Sequence, residues 1–324
     1  MPKIRVGVLR GGPSSEHEVS LKTGENVLNF LPEKYLGIDI VLDKNGQWNF
    51  GGLVINPDEL RHRVDIIFNA LHGHFGEDGK VQHILDTIKV PYTGSGIVAS
   101  SVAMNKVLSR EFFARTGLKI PAAVVVKNNE PIEEAARRVF QTIRPFWVVK
   151  PVSGGSSIGV TVVKDFRGLV PALEYALKYD DKALVEECIN GREVTCGILD
   201  NFRGEEHYAL PVIEIIPPPK KEFFDYECKY DGSSREICPA HLDLALKKEI
   251  ENMARLAHKV LGCKGYSRAD MIASSKGVYL LEVNTLPGLT SESLVPKAAQ
   301  AVGLDFSHLL EHIIDLALNK SQRF

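Results

Sequence analysis

The stretch "VVKPVSGGSSIGV", Val148 to Val160, decides how the middle of the chain is read. Gly154 and Gly159 have the G-x-x-x-x-G spacing of a nucleotide-binding P-loop, but no lysine follows the second glycine, and Lys150 stands ahead of the loop instead. A P-loop joins a strand to a helix and offers phosphates the backbone N–H groups of the helix N-terminus. Here the continuation "VTVVKD" is β-branched and strand-like, so the segment reads as a β-hairpin with a glycine- and serine-rich tip. Such a tip is either an ordinary flexible turn or a lid that presents several N–H and O–H donors to an anion.

Around the hairpin, "AAVVVK" (122–127), an amphipathic helix (131–142), a second helix (168–178) and "ALVEECI" (183–189) make a small α+β unit. Upstream, the strand "IRVGVL", the glycine turn "RGGPSSEHE", the buried strand "VDIIFNAL" (64–71) and the helix "KVQHILDTI" (80–88) predict an open α/β sheet. A polar helix over about 99–116 carries Lys106. Downstream of about Arg192, short strands ("EVTCGIL", "HYALPVIEII", "SRADMIA", "VYLLEVN") are interrupted by a long helix over about 242–261. Three units follow: 1–98, 99–190 and 191–324.

A chain of 324 residues exceeds what one core fills, and 44% hydrophobic with 25% charged residues is a globular composition. The formal net charge of −2 leaves no basic field for nucleic acid. The first apolar run is five residues, too short for a signal or membrane segment, so a cytoplasmic protein is expected, with no membrane partner. Five cysteines without a C-x-x-C pair indicate neither a disulfide framework nor a zinc knuckle, and are expected to be small buried hydrophobes.

The strongest constellation lies in "YSRADMIASSKGVYLLEVNTLPG", 266–288. Residues i and i+2 of a strand share a face, which pairs Arg268 with Asp270 and Glu282 with Asn284. A three-residue turn over Ser275–Gly277 would set Asp270 opposite Glu282 and Arg268 opposite Asn284. Such oxygens suit Mg²⁺, and an arginine beside them suits charge on a transferring phosphoryl group; a salt-bridged polar face is the alternative. In the first unit, Glu16 and His72 stand just beyond strand ends, where small ligands bind, and Gly73, Gly76 and Gly79 allow close backbone approach. "HLLEH", His308 to His312, matches an inverted zinc-protease pattern, but it has no third ligand nearby and is expected to be one face of an amphipathic helix.

Taken in order, Lys150 before a Gly/Ser hairpin, the acidic strand "LVEECINGRE" and the pair "RAD…EVN" resemble an ATP-grasp enzyme. "GGPSSEHEVSL", "LHGHFGEDGKVQ", "PYTGSG", "DYECKY" and "LEVNTLPGLTSESLVP" extend the resemblance, over residues 4–318, to the D-alanine–D-alanine ligase family. The resemblance implies a three-domain ATP-grasp architecture: an N-terminal open parallel α/β sheet plus two α+β domains enclosing the ATP site. It implies that ATP phosphorylates the carboxylate of one D-alanine and that the amine of a second attacks the acyl phosphate, a step in peptidoglycan precursor synthesis. It also implies two Mg²⁺ (or Mn²⁺) and a homodimer.

By motif, the resemblance assigns Lys106 and Lys150 to the ATP phosphates, and Gly155, Ser156 and Ser157 to the lid tip. Glu186 and the backbone of Ile189 would meet adenine and Glu193 the ribose. Asp270, Glu282 and Asn284 would hold the metals, while Arg268 and the Gly288 N–H would stabilise the tetrahedral intermediate. Glu16 would receive the first D-alanine's ammonium near His72, and Ser293 and Lys229 the second D-alanine's carboxylate. Tyr230 would link Ser156 with Glu16. Departures are Asn105 where an Asp is common, Cys188 at an often aromatic hinge position, and "PPPKK" (217–221). Two rivals are a depsipeptide ligase making D-alanine–D-lactate, against which Tyr230 argues, and a non-catalytic relative, which would have lost the metal ligands.

Overall fold

The computed structural model describes residues 2–217, 234–290 and 292–321. Lys229, Tyr230, Cys228 and most of "PPPKK" lie outside the described residues. Three sheets carry the fold.

The first contains β1 (Ile4–Gly11), β2 (Tyr35–Leu42), β3 (Trp48–Phe50), β4 (Leu53–Ile55) and β5 (Ile66–Asn69), in the order β4-β3-β2-β1-β5. β1 runs parallel to β2 and β5, as expected of an open α/β sheet, but β3 and β4 add an antiparallel edge, so the sheet is mixed rather than wholly parallel. The cause is local: Asp43 Oδ1 accepts the N–H groups of Asn45 and Gln47 at 2.8 Å each, and Gly46 takes a positive φ, closing a hairpin at "DKNGQ".

The second sheet contains β6 (Ala123–Lys127), β7 (Trp147–Pro151), β8 (Thr161–Val163) and β9 (Lys182–Glu187), in the order β6-β9-β7-β8 and antiparallel throughout. β7 and β8 are the hairpin read from "VVKPVSGGSSIGV". Ala135, Ala136 and Val139 of the helix Ile132–Thr142 and Ala172, Leu173 and Ala176 of the helix Leu169–Ala176 bury their i, i+3/i+4 faces on Trp147, Val149 and Val185.

The third sheet contains β10 (Arg192–Phe202), β11 (Glu205–Ala209), β12 (Ile213–Ile216), β13 (Arg235–Ile237), β14 (Tyr266–Ser274) and β15 (Gly277–Asn284). Its order is β13-β12-β10-β14-β15, with β11 also on β10. "HYALPVIEII" is thus two strands instead of the expected one. Pro211 has no N–H for a ladder, so β11 pairs with the distal half of β10 and β12 with its start. The helix Leu244–Leu261, capped by Asp243 at one end and by left-handed Gly262 at the other, lays Ile250, Met253, Ala254, Ala257 and Leu261 on this sheet. Each large side chain buried there contributes about 2 kcal/mol.

The β14–β15 turn differs from expectation in an instructive way. Ser274 pairs with Gly277, so the loop has two residues, Ser275 and Lys276, not three. A bulge between Asp270 and Met271 on the paired ladder then makes up the missing residue: Met271 faces Leu280, Asp270 faces Glu282, and Leu281 is the extra residue. Arg268 consequently faces Asn284, as the sequence suggested.

One core joins the first and third units, with Val6, Val8 and Phe68 packed among Tyr266, Leu289, Val295 and Leu310. The expected helix over 99–116 is two helices, Ile97–Met104 and Lys106–Arg115, broken at Asn105, and both contribute to the core under the third sheet. Cys196 and Cys263 are buried as expected, whereas Cys188 is exposed and Cys238 half-buried. Among the described residues, no helix is long and apolar enough to cross a membrane.

Candidate functional site

The lid hairpin is anchored at its base by a buried ionic triad. Lys150 on β7 and Glu186 on β9 stand on neighbouring strands, and Lys150 Nζ lies 2.6 Å from Glu186 Oε2. The other carboxylate oxygen, Oε1, accepts from Arg110 Nη1 at 2.6 Å. With Glu186 almost fully buried, one carboxylate between two cations leaves a net positive charge at the base of the hairpin.

Asn105 ends one helix in an extended conformation and caps the next, its side chain accepting from Val107 and Leu108 N–H groups. That break presents Lys106 at the first position of a helix, where the macrodipole disfavours a cation. Its ammonium is held instead by Gly154 O at 2.7 Å and lies 3.6 Å from Glu282 Oε2. Lys106 N–H also donates to Val152 O at 2.9 Å, so this helix start is tied to the hairpin by backbone as well as side chain.

At the lid tip, Ser156 and Ser157 adopt φ of 50° and 56°, a left-handed conformation that non-glycine residues seldom hold without support. Ser156 is tethered through its hydroxyl to Glu16 Oε1. Glu16 sits in the turn after β1, its N–H bonded to Ser14 Oγ, which itself donates to His72 O at 2.6 Å. Gly73 has φ of 70°, and a Cβ there would lie 2.6 Å from Glu16 Oε2, so any side chain at this position would be strained and would displace the Glu16 carboxylate. His72 Nε2 is 2.9 Å from Thr23 Oγ1, and its Nδ1 lies 3.6 Å from Glu77 Oε1. Burial opposes the charge on His72, yet the Glu77 and Glu16 carboxylates outweigh it and raise the imidazole above its ordinary value.

Across the cleft, Arg268 forms a bidentate pair with Asp270 at 2.8 and 2.7 Å, and Thr195 Oγ1 donates to Asp270 Oδ1 at 2.6 Å. Glu282 and Asn284 stand on the same face of β15, and Asn284 Oδ1 accepts Leu286 N–H at 3.2 Å. Asp270, Glu282 and Asn284 thus offer oxygen donors to a hard cation, a set that fits Mg²⁺ or Mn²⁺. Ser293 precedes the helix Leu294–Ala301; its Oγ accepts Thr290 N–H at 2.9 Å and would touch a Cβ placed on Gly288.

These groups line two adjoining cavities. One, of about 1000 Å³, gathers Glu16, His72, Ser156, Arg268, Asn284, Gly288 and Ser293. The other, of about 830 Å³, gathers Lys150, Ser157, Glu186, Ile189, Glu193 and Asp270. Lys106, Gly154, Gly155 and Glu282 line both and form the wall between them. A group transferred from one cavity to the other would pass between a lysine, a carboxylate and the lid backbone.

Sequence reasoning missed Arg110 and Glu77. Arg110 lies four residues after Lys106, one helical turn along the same face, and that spacing was the available signal. His308 pairs with Asp305, and His312 Nε2 lies 2.8 Å from Asp200 O, so the H-x-x-E-H pattern does not form a local metal site.

The C-terminal family model "D-ala D-ala ligase C-terminus" matches residues 112–315, and "D-ala D-ala ligase N-terminus" matches 5–56 and 52–95. A D-alanine–D-alanine ligase of Syntrophobacter fumaroxidans is 42% identical over 321 residues, covering 98% of each chain. The structure of a D-alanine–D-alanine ligase from Bacillus anthracis complexed with ATP is 32% identical with a TM-score of 0.81, covering 99% of each chain. That of the VanG D-Ala:D-Ser ligase from Enterococcus faecalis is 31% identical with a TM-score of 0.86, covering 97% of this chain and 99% of that one.

Proposed function

Because the chain belongs to the D-alanine–D-alanine ligase family, we propose that its two cavities divide the family's reaction between them. The protein is an ATP-dependent ligase of ATP-grasp architecture that joins two D-alanine molecules into D-alanyl-D-alanine for peptidoglycan precursors. The wall shared through Lys106, Glu282 and Gly154–Gly155 supports the proposal, because a nucleotide in one cavity and an amino acid in the other would lie within reach of one transfer.

In this reading ATP occupies the cavity with Lys150, Glu186, Ile189 and Glu193, its phosphates toward Lys106, Lys150 and the Gly155–Ser157 tip. The first D-alanine lies in the other cavity, its ammonium on Glu16 and its carboxylate near His72. That carboxylate takes the γ-phosphoryl group, becoming an acyl phosphate as ADP leaves. The amine of the second D-alanine, held through its carboxylate by Ser293 and Lys229, attacks the acyl carbon, and phosphate departs. Arg268 and the Gly288 N–H stabilise the oxyanion that forms between these events. Asp270, Glu282 and Asn284 would hold two Mg²⁺ or Mn²⁺, which supply positive charge to the phosphoryl oxygens when bound. Lid closure over Ser156 keeps water from the acyl phosphate, with Tyr230 as the third member of that contact.

The units 1–98, 99–190 and 191–324, cytoplasmic residence and a homodimer belong to the same proposal. ATP as substrate supports the compartment. Exposed Leu53 and Val54 on the edge strand β4 support self-association. Purified protein given ATP, Mg²⁺ and D-alanine is expected to release ADP together with the dipeptide, read by mass spectrometry. ADP without dipeptide would overturn the reading, and preferential products with D-serine or D-lactate in competition would redirect it to those second substrates.

A further inference from the structure

Away from both cavities, Asp200, His207 and His258 converge from β10, β11 and the helix Leu244–Leu261. Asp200 lies five residues along β10 from Thr195, roughly 16 Å at the rise of a strand. None of the three lines either cavity. We infer that they form a second metal site, built for a borderline divalent transition ion such as Zn²⁺, which the ligation reaction does not use.

One oxygen, Asp200 Oδ1, lies 2.8 Å from His207 Nδ1 and 3.0 Å from His258 Nε2, and all three ligand atoms fall within 4.8 Å of one another. Tetrahedral ligands on bonds of about 2.0 Å stand about 3.3 Å apart, so small side-chain rotations would open the cluster around an ion. The supports that hold ligands are also present. Gly265 N–H donates to Asp200 Oδ2 at 2.6 Å, His312 Nε2 holds the Asp200 carbonyl at 2.8 Å, and His258 Nδ1 lies 2.7 Å from Ser267 Oγ.

The decisive atom is His258 Nε2. The His258 side chain is fully buried, and this nitrogen faces Asp200 Oδ1 without the alignment of a hydrogen bond, leaving it unsatisfied. In the tautomer that donates Nδ1–H to Ser267, Nε2 aims its lone pair at a carboxylate oxygen, and a cation between the two would satisfy both. His207 Nδ1 already bonds Asp200 Oδ1 at 2.8 Å, so the atom that a bound dication would newly satisfy is His258 Nε2. Two imidazoles and one carboxylate leave a coordination position open, and the His207 ring, 19% exposed, gives solvent access to it. Arg255, which donates to His207 O, has its own charge met by Glu205 and Glu251.

The test is metal analysis after dialysis of the full chain against Zn²⁺ with excess Mg²⁺ to occupy the catalytic face. Wild type and Glu282→Gln should each retain about one Zn²⁺ per chain, and His207→Gln should bind at least about tenfold more weakly. Equal retention by His207→Gln and wild type, or no retention by wild type, would overturn the site. Co²⁺-loaded wild type supplies a measurement that needs no variant. Hyperfine-shifted imidazole resonances from His207 and His258 are expected, and their absence would refute the inference.

Discussion

The Ser156 hydroxyl donates to Glu16 Oε1 across 140 residues of chain, so the lid tip and the turn after β1 hold one another. The same Glu16 limits how closely the loop at Gly73 and the backbone of Gly155 can pack, since a Cβ at either would crowd its carboxylate. Under the proposed function, occupancy of the amino-acid cavity and position of the hairpin tip would both be read at this one side chain.

Removing the hydroxyl should uncouple the two. Ser156→Gly tolerates the left-handed backbone and deletes the hydroxyl, whose bond to a charged acceptor is worth about 1.5–3 kcal/mol. The expected result is at least a tenfold loss in kcat/KM for D-alanine, with faster amide exchange across 153–159. Unchanged exchange and kinetics would show that the tether does not hold the lid.

Arg110 should matter for nucleotide binding although it lines neither cavity. Truncation to alanine leaves Glu186 paired with Lys150 alone and removes a hydrogen bond between charged groups worth about 1.5–3 kcal/mol. Arg110→Ala is expected to raise the KM for ATP about tenfold while the KM for D-alanine stays within about twofold. Arg110→Lys should recover only part, because the fork also reaches Pro121 O. Equal changes in both KM values would place the residue in general folding instead.

His72 predicts a pH dependence whose sign follows from its raised value. A histidine held above its unfolded value of about 6.5 contributes stability fully below that pH and loses it as pH climbs through the raised folded value. Urea midpoints of the wild type should therefore fall from pH 6.5 upward more steeply than those of His72→Gln. Parallel profiles for the two proteins would refute the assignment.

Local chemistry made much of this legible. β-branched residues on both sides of the Gly/Ser tip were enough to reject a helix after Gly159, and the alternation around Arg268 and Glu282 was enough to find the cleft face. Breaks were harder. Asn105 splits a helix by capping it, and Pro211 splits a strand by lacking a donor, yet each signal is one residue in an otherwise continuous pattern. Nothing local ties Arg110 to Glu186, 76 residues away, or assembles Asp200 with His207 and His258; the packing of helices on sheets does that. The cross-strand pairs of the β14–β15 hairpin were anticipated from a turn one residue too long, and the bulge at Leu281 restored the count.

That extra residue makes the chemistry of this hairpin a matter of parity. Leu280 and Val283 both point into the core, while Leu281 and Glu282 both reach the cavity, so the odd insertion is what turns an acid outward opposite Asp270. A residue added to the Ser275–Lys276 tip would have to be absorbed before Glu282 or it would set Leu281 opposite Asp270 in place of the acid. A change of two residues would keep the acid on the same face but move it two positions along the strand from Asp270. The Ser275–Lys276 tip can therefore vary in sequence, whereas its length and the spacing from Leu280 to Asn284 together keep Glu282 opposite Asp270.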